Sequence, residues 1–218
     1  MADKTCIIIG AGPGISMAVA RRFAAEGYSI ALISRSSGKL KGYVQELLDA
    51  GFDAIGVAAD AADPEKLTGA INSIGPASVL VYNAAAITQG LPSHLPPDDL
   101  VAHFCVNVVG ALAAAQACLP AMREAGGGTI LFTGGGLALY PVAQFSSLSI
   151  GKAGIRSLAK TLHDELKSDN IHVATVTVGG FVKAGTFFDP DKIAEVYMTL
   201  HQQPAGAWEW ETVYAESL

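Results

Sequence analysis

The sequence predicts an α/β protein: one domain, residues 1–218, with a doubly wound parallel sheet as the middle of three αβα layers. Three observations lead there. Short apolar runs rich in β-formers alternate with helix-like segments along the whole chain. The runs are continuous rather than alternating, as expected of strands covered on both faces. The first run ends in a cluster of glycines that opens directly into a helix.

Taken in order, the strand candidates are 5–10 (TCIIIG), 29–34 (SIALIS), 53–59, 78–83 (SVLVYN), 129–133 (TILFT) and 172–178 (HVATVTV). Helical segments are expected near 14–26, 39–50, 64–73, 98–122, 146–168 and 190–201. Asp189-Pro190 is a good start for the last of these, with Asp as N-cap and Pro at the first helical position. The aromatic cluster Trp208, Trp210 and Tyr214 marks a final strand or a docking surface. No repeat, linker or second domain is visible.

Composition narrows the function classes. Half of the residues are hydrophobic, and the net charge is −6. The fourteen Lys and Arg are scattered, which argues against nucleic acid or an anionic membrane as partner. Cys6, Cys105 and Cys118 form no metal or redox motif and suit buried thiols in a reducing compartment. No HxH, HExxH or carboxylate cluster predicts a metal site. Residues 100–122 are uncharged enough to suggest a membrane span. They also hold His103, Asn107, Gln116 and Pro120, so a buried or interface helix is the better reading. With no signal peptide in view, a cytoplasmic protein is expected.

The glycine cluster GAGPGIS runs from Gly10 to Ser16. Gly10, Gly12 and Gly14 let backbone approach a pyrophosphate, and the helix that follows, with Ile15 among the expected contacts, offers free N–H groups and a positive dipole end. A nucleotide that needs its ribose 2′-OH held would call for an acidic residue at the end of the second strand. That position carries Ser34, followed by Arg35. Arg35 can pair with a 2′-phosphate while stacking on adenine, so NADP(H) is expected over NAD(H).

These residues, over nearly the whole chain, resemble the short-chain dehydrogenase/reductase family. The family's TGxxxGxG looks like Ile9-Gly10-xxx-Gly14-Ile15-Ser16 here. The resemblance implies a Rossmann-type fold and further cofactor contacts. Asp60 in VAADAAD matches the family's adenine-contacting Asp. Asn83 and Ala84 in YNAA match its NNAG. Gly180 in VGGFV, with Val182 beyond it, matches the segment after the sixth strand. Asn107 in VNVVGAL matches the family's helix-borne Asn, and Lys152 its catalytic Lys.

The departure lies in the chemistry. The family's Tyr precedes its Lys by four residues, which lands on Leu148. Its Ser lies thirteen residues earlier, at Gly135. The wider spacing of enoyl reductases lands on Phe145, which has no hydroxyl either. What remains for Lys152 is the family role of holding the nicotinamide ribose, because its other role, lowering the Tyr pKa, lacks a partner. Tyr140, on the loop before the Lys152 helix, is the speculative replacement donor. Ser146, Ser147 and Ser149 are weaker candidates, with Ser147 expected to cap or start the helix. His163, His172 and His201 are expected at surface positions, His94 in a loop, and His103 on a helix surface.

The expected function is an NADP(H)-dependent oxidoreductase with an altered proton donor, acting on an unidentified small carbonyl, enone or imine. The alternative is an inactive nucleotide binder serving as sensor, partner subunit or scaffold. The stretch 179–189 leaves little material for a lid, and Phe181, Phe187 and Phe188 either line an apolar pocket or pack the last helix. Small residues on the helices 98–122 and 146–168, which the family uses for dimerisation, imply a homodimer or homotetramer.

Overall fold

The computed structural model describes residues 4–216. In chain order the elements are β1 (Thr5–Ile9), α1 (Ile15–Ala25), β2 (Ser29–Ser34), α2 (Ser37–Asp49), β3 (Ala54–Ala58), α3 (Pro64–Ile74), β4 (Val79–Tyr82), α4 (Pro97–Phe104), α5 (Gly110–Glu124), β5 (Gly128–Thr133), α6 (Ser146–Leu166), β6 (Ile171–Val178), α7 (Pro190–His201) and β7 (Glu211–Tyr214). The seven strands form one sheet in the order β3-β2-β1-β4-β5-β6-β7, and every neighbouring pair is parallel.

That order places the site. The chain runs outward from β1 through β2 to β3, then returns to add β4 on the other side of β1. The loops leaving β1 and β4 therefore part in opposite directions, and a crevice opens between them. The register is level: Ile9 pairs with Ile33 on one side and Tyr82 on the other. Gly10, Ser34 and Asn83 thus emerge together at the C-terminal edge of the sheet.

Each face carries its own core. Cys6, Ile8, Leu32, Val79, Val81 and Val176 point toward α1, α2 and α7. Ile7, Ile9, Ile33, Leu80, Ile130 and Phe132 point toward α3, α5 and α6. This two-sided burial explains the unbroken apolar runs. β6 is buried along its whole length, Ile171 to Val178. At the edge, β7 is held by Glu211, whose carboxylate accepts from both Nε and Nη2 of Arg156 at 2.8 and 2.6 Å and from Thr177 Oγ1 at 2.7 Å. Arg156 also stacks over Trp210. The terminal aromatic cluster therefore does contain a final strand.

Helix starts follow capping chemistry. Asp189 accepts from Asp191 N–H at 2.9 Å and starts α7 as expected. Ser36 caps α2 by accepting from Lys39 N–H at 3.4 Å, so α2 begins at Ser37, two residues before the expected start. The single helix expected over 98–122 is instead α4 and α5 joined by a π-helical turn, Cys105–Val109. Tyr82 Oη donates to Val106 O inside that turn. Gly110 packs so closely on Ala61 O and Tyr82 Oη that a Cβ there would lie 2.6 Å from the phenol oxygen. The widened turn is how the helix adapts to β4, and such turns gather at functional sites.

Three histidine expectations are corrected. His163 and His172 are buried, not surface groups, and His201 is half-buried. His163 Nδ1–H donates to Val173 O at 2.9 Å and His172 Nε2–H to Glu209 O at 2.9 Å. The His172 ring stacks on Trp208, 5.1 Å between centroids. His201 lies between Tyr28 Oη at 2.6 Å and Thr129 Oγ1 at 2.9 Å. The amphipathic pattern missed them because imidazole is apolar enough to pack once its N–H finds a carbonyl.

Burial holds His172 and His201 below the ordinary histidine value. Both stay neutral in the fold while an unfolded chain takes up protons below about pH 6.5. Stability present above that value is therefore lost as the pH falls through the depressed native values. The urea midpoint is expected to drop between pH 7.5 and 5.5, and to drop less in His172→Gln. Equal drops in the two proteins would show that His172 does not titrate on unfolding.

Candidate functional site

The crevice at the switch point is a cleft of about 340 Å³ whose lining includes Gly10, Ser34, Arg35, Lys39, Asp60 and Asn83. Gly10 has φ +87°, and a Cβ there would lie 2.6 Å from Ala84 Cα and 2.8 Å from Asn83 C. Only glycine lets the β1 and β4 loops approach this closely. Its N–H and that of Ala11 both donate to Ile33 O, at 2.9 and 3.0 Å. Gly12 and Gly14 are glycines for another reason. A Cβ on Gly14 meets nothing within 4 Å, and one on Gly12 meets only Gly10 O at 3.9 Å. Their open side faces no protein, which is what a phosphate approaching the α1 N-terminus requires.

Ser16 stands at the family's third glycine. It is fully buried, donates to Gly10 O at 2.7 Å and accepts from Asn83 Nδ2 at 2.7 Å. The lost glycine is thus replaced by a lock between the β1 and β4 loops. The sequence reading missed this role. The available signal was a small hydroxyl on the first turn of a helix with free N–H groups.

Ser34 Oγ is buried and has no hydrogen-bond partner in the protein. A buried orphan hydroxyl is costly unless something supplies a partner, and this one borders the cleft where the ribose of an adenine dinucleotide would lie. Arg35 and Lys39 are exposed beside it. Lys39, one turn after Arg35, adds a second cation that sequence reasoning had passed over. Asp60 lies across the cleft, one carboxylate oxygen accepting from Ala62 N–H at 2.9 Å. The residues present therefore fit an adenine dinucleotide with a phosphorylated ribose.

At the other end of the site, Asn107 sits in the π turn, buried. Its Oδ1 accepts from Ala86 N–H at 2.8 Å. A Cβ on Gly151 would lie 2.6 Å from Asn107 Nδ2, so α6 packs directly on this side chain. Lys152 follows on α6. Its Nζ donates to Thr133 O at 2.6 Å, and no carboxylate pairs with it among the described residues. Burial pulls its pKa down to about 8. An ammonium carries three donors, and Thr133 O uses one.

Gly135, where the sequence spacing expects the family's Ser, lies against the Lys152 stem, and a Cβ there would sit 3.4 Å from Cγ, Cδ and Cε. Leu148, where the spacing expects the Tyr, is only 8% exposed, one turn before Lys152 on α6. No hydroxyl stands at either place. Tyr140 is 68% exposed on the loop leaving β5.

Two further expectations change. α6 begins at Ser146 with Phe145 at its N-cap, so Ser147 lies in the first turn, within one residue of the expected helix start, and does not cap it. Ser147 is buried, with Oγ 2.8 Å from Nδ1 of His103, which is half-buried between α4 and α6 rather than on a helix surface. After β6, Phe187 and Phe188 pack on Tyr214, and a Cβ on Gly180 would lie 2.7 Å from Phe188 Cδ2. Phe181 is left 87% exposed, and Val182 is exposed beside it.

Known proteins arrange themselves around this geometry. The profile described as short chain dehydrogenase matches residues 4–187. The 3-dehydrosphinganine reductase TSC10A of Arabidopsis thaliana is 32% identical over 179 residues, 80% of this chain and 55% of that protein. This chain thus spans about half the length of the plant reductases it matches. The 3-oxoacyl-[acyl-carrier-protein] reductase MabA of Mycobacterium bovis is 25% identical, with 83% of this chain and 70% of that protein covered. Among solved structures, a short-chain dehydrogenase from Rhodopseudomonas palustris superposes with a TM-score of 0.89 at 26% identity, covering 99% of both chains. A metagenomic short-chain oxidoreductase in complex with NADP superposes with a TM-score of 0.88 at 26% identity, covering 98% of this chain and 97% of the other.

Proposed function

This chain belongs to the short-chain dehydrogenase family, and from that premise we propose that it binds NADP(H) in preference to NAD(H) and acts as an oxidoreductase on a carbonyl, enone or imine. The observation that carries the nucleotide reading is the orphaned Ser34 hydroxyl beside Arg35 and Lys39, with no acidic side chain at the end of β2. The relatives add support: one structural neighbour holds NADP, and the named relatives are reductases.

When bound, the nucleotide supplies or takes a hydride. The α1 N-terminus and the open backbone of Gly12 and Gly14 would take the pyrophosphate. Asp60 and Ala84, which line the cleft, and Gly180 and Val182, on the loop after β6, would hold the rest of the nucleotide. Lys152, its ammonium anchored on Thr133 O, offers its remaining donors to the ribose hydroxyls. Asn107 holds the β4 loop through Ala86. A proton must still reach the substrate oxygen, and neither Gly135 nor Leu148 can give one. A positioned general acid contributes roughly 10²–10⁴ in rate. Without one, turnover is slow unless Tyr140 or the substrate itself supplies the proton. The same two residues favour the second reading, a nucleotide binder without turnover. A cytoplasmic homodimer or homotetramer joined through α4, α5 and α6 completes the proposal, with Val101 and Phe104 exposed on α4 and Ile150 on α6.

Titration of nicotinamide fluorescence tests the nucleotide reading. NADPH is expected to bind at least tenfold more tightly than NADH, and Arg35→Asp to remove that preference. The anionic nucleotide also raises the Lys152 pKa from about 8, so calorimetry in buffers of different ionisation heat is expected to show proton uptake on binding near pH 8.5. Equal affinity for both nucleotides in the unaltered protein would overturn the preference, and absence of binding would leave only the scaffold reading.

A further inference from the structure

Three loops leave the C-terminal edge of the sheet side by side, because β4, β5 and β6 are neighbours. Gly90 N–H in the first donates to Gln144 O in the second at 2.8 Å, and Ser146 Oγ donates back to Gly90 O at 2.9 Å. A Cβ on Gly136 in the second would lie 3.1 Å from Gly179 Cα in the third. The loops therefore form one continuous rim beside Lys152 and Asn107.

That rim is almost free of charge. From residue 83 to 97 His94 is the only titratable group, from 125 to 151 Tyr140 is the only one, and from 179 to 188 the only charged side chain is Lys183. Several of its exposed residues are instead large and apolar, among neutral polar ones such as Gln89 and Gln144. Phe181, Ile87 and Tyr140 are 87%, 69% and 68% exposed, and Leu91, Val142 and Val182 are exposed beside them. Ile87 also lines the nucleotide cleft, next to Ala86, whose N–H donates to Asn107, so the rim adjoins the site. A folded chain rarely leaves so much large apolar surface together without a ligand to cover it.

We propose that the substrate is an uncharged carbonyl compound with an alkyl or aryl body of several carbons. Its apolar part lies on Ile87, Tyr140, Val142 and Phe181, and its carbonyl points toward Lys152. This rests on the oxidoreductase reading of the same site. Charge excludes the anionic alternatives. A carboxylate, phosphate ester or coenzyme A thioester would meet a rim whose one exposed cation is Lys183, on a protein of net charge −6. An apolar body, by contrast, covers surface that is otherwise in water.

The test is calorimetric binding of 2-hexanone, 2-octanone, 2-decanone and acetoacetyl-coenzyme A in the presence of NADP+, which cannot reduce them. The Kd of the ketones is expected to fall up to about fourfold per added methylene, with acetoacetyl-coenzyme A weaker than 2-decanone. Phe181→Asp and Val142→Asp, both on exposed loops, are each expected to flatten that slope. A Kd independent of chain length would overturn the proposal. So would tighter binding of the thioester. It would equally fall if the unaltered protein binds no ketone while Phe181→Asp turns an oligomer into monomers, since a second copy would then be the rim's occupant. Repeating the series without nucleotide separates the two readings. Chain-length dependence with no NADP+ binding keeps the rim and drops the nucleotide. Normal NADP+ binding with no ketone binding drops the rim alone.

Discussion

Placing two hydroxyls beside Lys152 together, Gly135→Ser with Leu148→Tyr, is expected to raise ketone reduction by about 10²–10⁴-fold over the unaltered protein. Gly135 accepts the change, while Leu148, only 8% exposed, must shift its neighbours to admit the larger ring. Gly135 has φ −171°, an extended backbone that any residue adopts, and its Cβ would make ordinary contact with the Lys152 stem at 3.4 Å. Leu148 lies on the same helix four residues before Lys152, so a phenol there rises from the same face as the ammonium. That ammonium, anchored on Thr133 O, favours the phenolate and lowers the phenol pKa. The serine hydroxyl would donate to the oxygen that becomes negative as hydride arrives. Each single variant is expected to gain less than its share, because groups that act as a unit are not additive. The measurement is NADPH consumption with 2-decanone as the trial ketone. A double variant that binds NADPH normally but consumes it no faster would show that more than two hydroxyls separates this site from a working one. An unaltered protein already as fast as the double variant would point to a resident donor, and Tyr140→Phe would then identify or clear Tyr140.

The sheet was legible in the sequence because strands buried on both faces leave continuous apolar runs. All six expected strands lie within a residue or two of their observed ends. The cleft was legible for a similar reason. Gly10, Arg35, Asp60 and Asn83 each sit where a strand ends, and strand ends are what the runs locate. What stayed hidden depends on contacts between distant segments. Nothing local says that Ser16 joins Gly10 to Asn83, that Thr133 O takes the Lys152 ammonium, or that Tyr82 draws Val106 O out of helical register. The buried histidines were missed by the same route, since a periodicity argument treats imidazole as a surface group until a carbonyl such as that of Glu209 or Val173 is found for it. The emptiness at Gly135 and Leu148 was visible from spacing alone. The structure adds that Gly135 has room for a side chain against the Lys152 stem, whereas Leu148 is packed.

The glycine loop gives the second large effect, and it separates two reasons for a glycine. Gly10→Ala forces a Cβ to within 2.6 Å of Ala84 Cα at a residue with φ +87°. Its neighbours there are backbone, which cannot swing aside. Left-handed strain and overpacking together cost about 3 kcal/mol, and the β1 and β4 loops must separate. That separation breaks the Ser16 bridge and the cleft with it, so both thermal stability and NADPH binding are expected to fall sharply. Gly12→Ala behaves differently. Its Cβ meets protein only at 3.9 Å, so stability is expected to stay within about 0.5 kcal/mol. The same methyl group enters the space through which a pyrophosphate would approach the backbone, and NADPH binding is expected to weaken on the order of tenfold or more. Thermal melts and fluorescence titrations of the two variants read the two effects apart. A Gly12→Ala protein that keeps full affinity for NADPH would move the phosphates away from this loop. The open side of Gly12 and Gly14 would then be an ordinary turn, and Ser16 would remain as a purely structural tie between two strands.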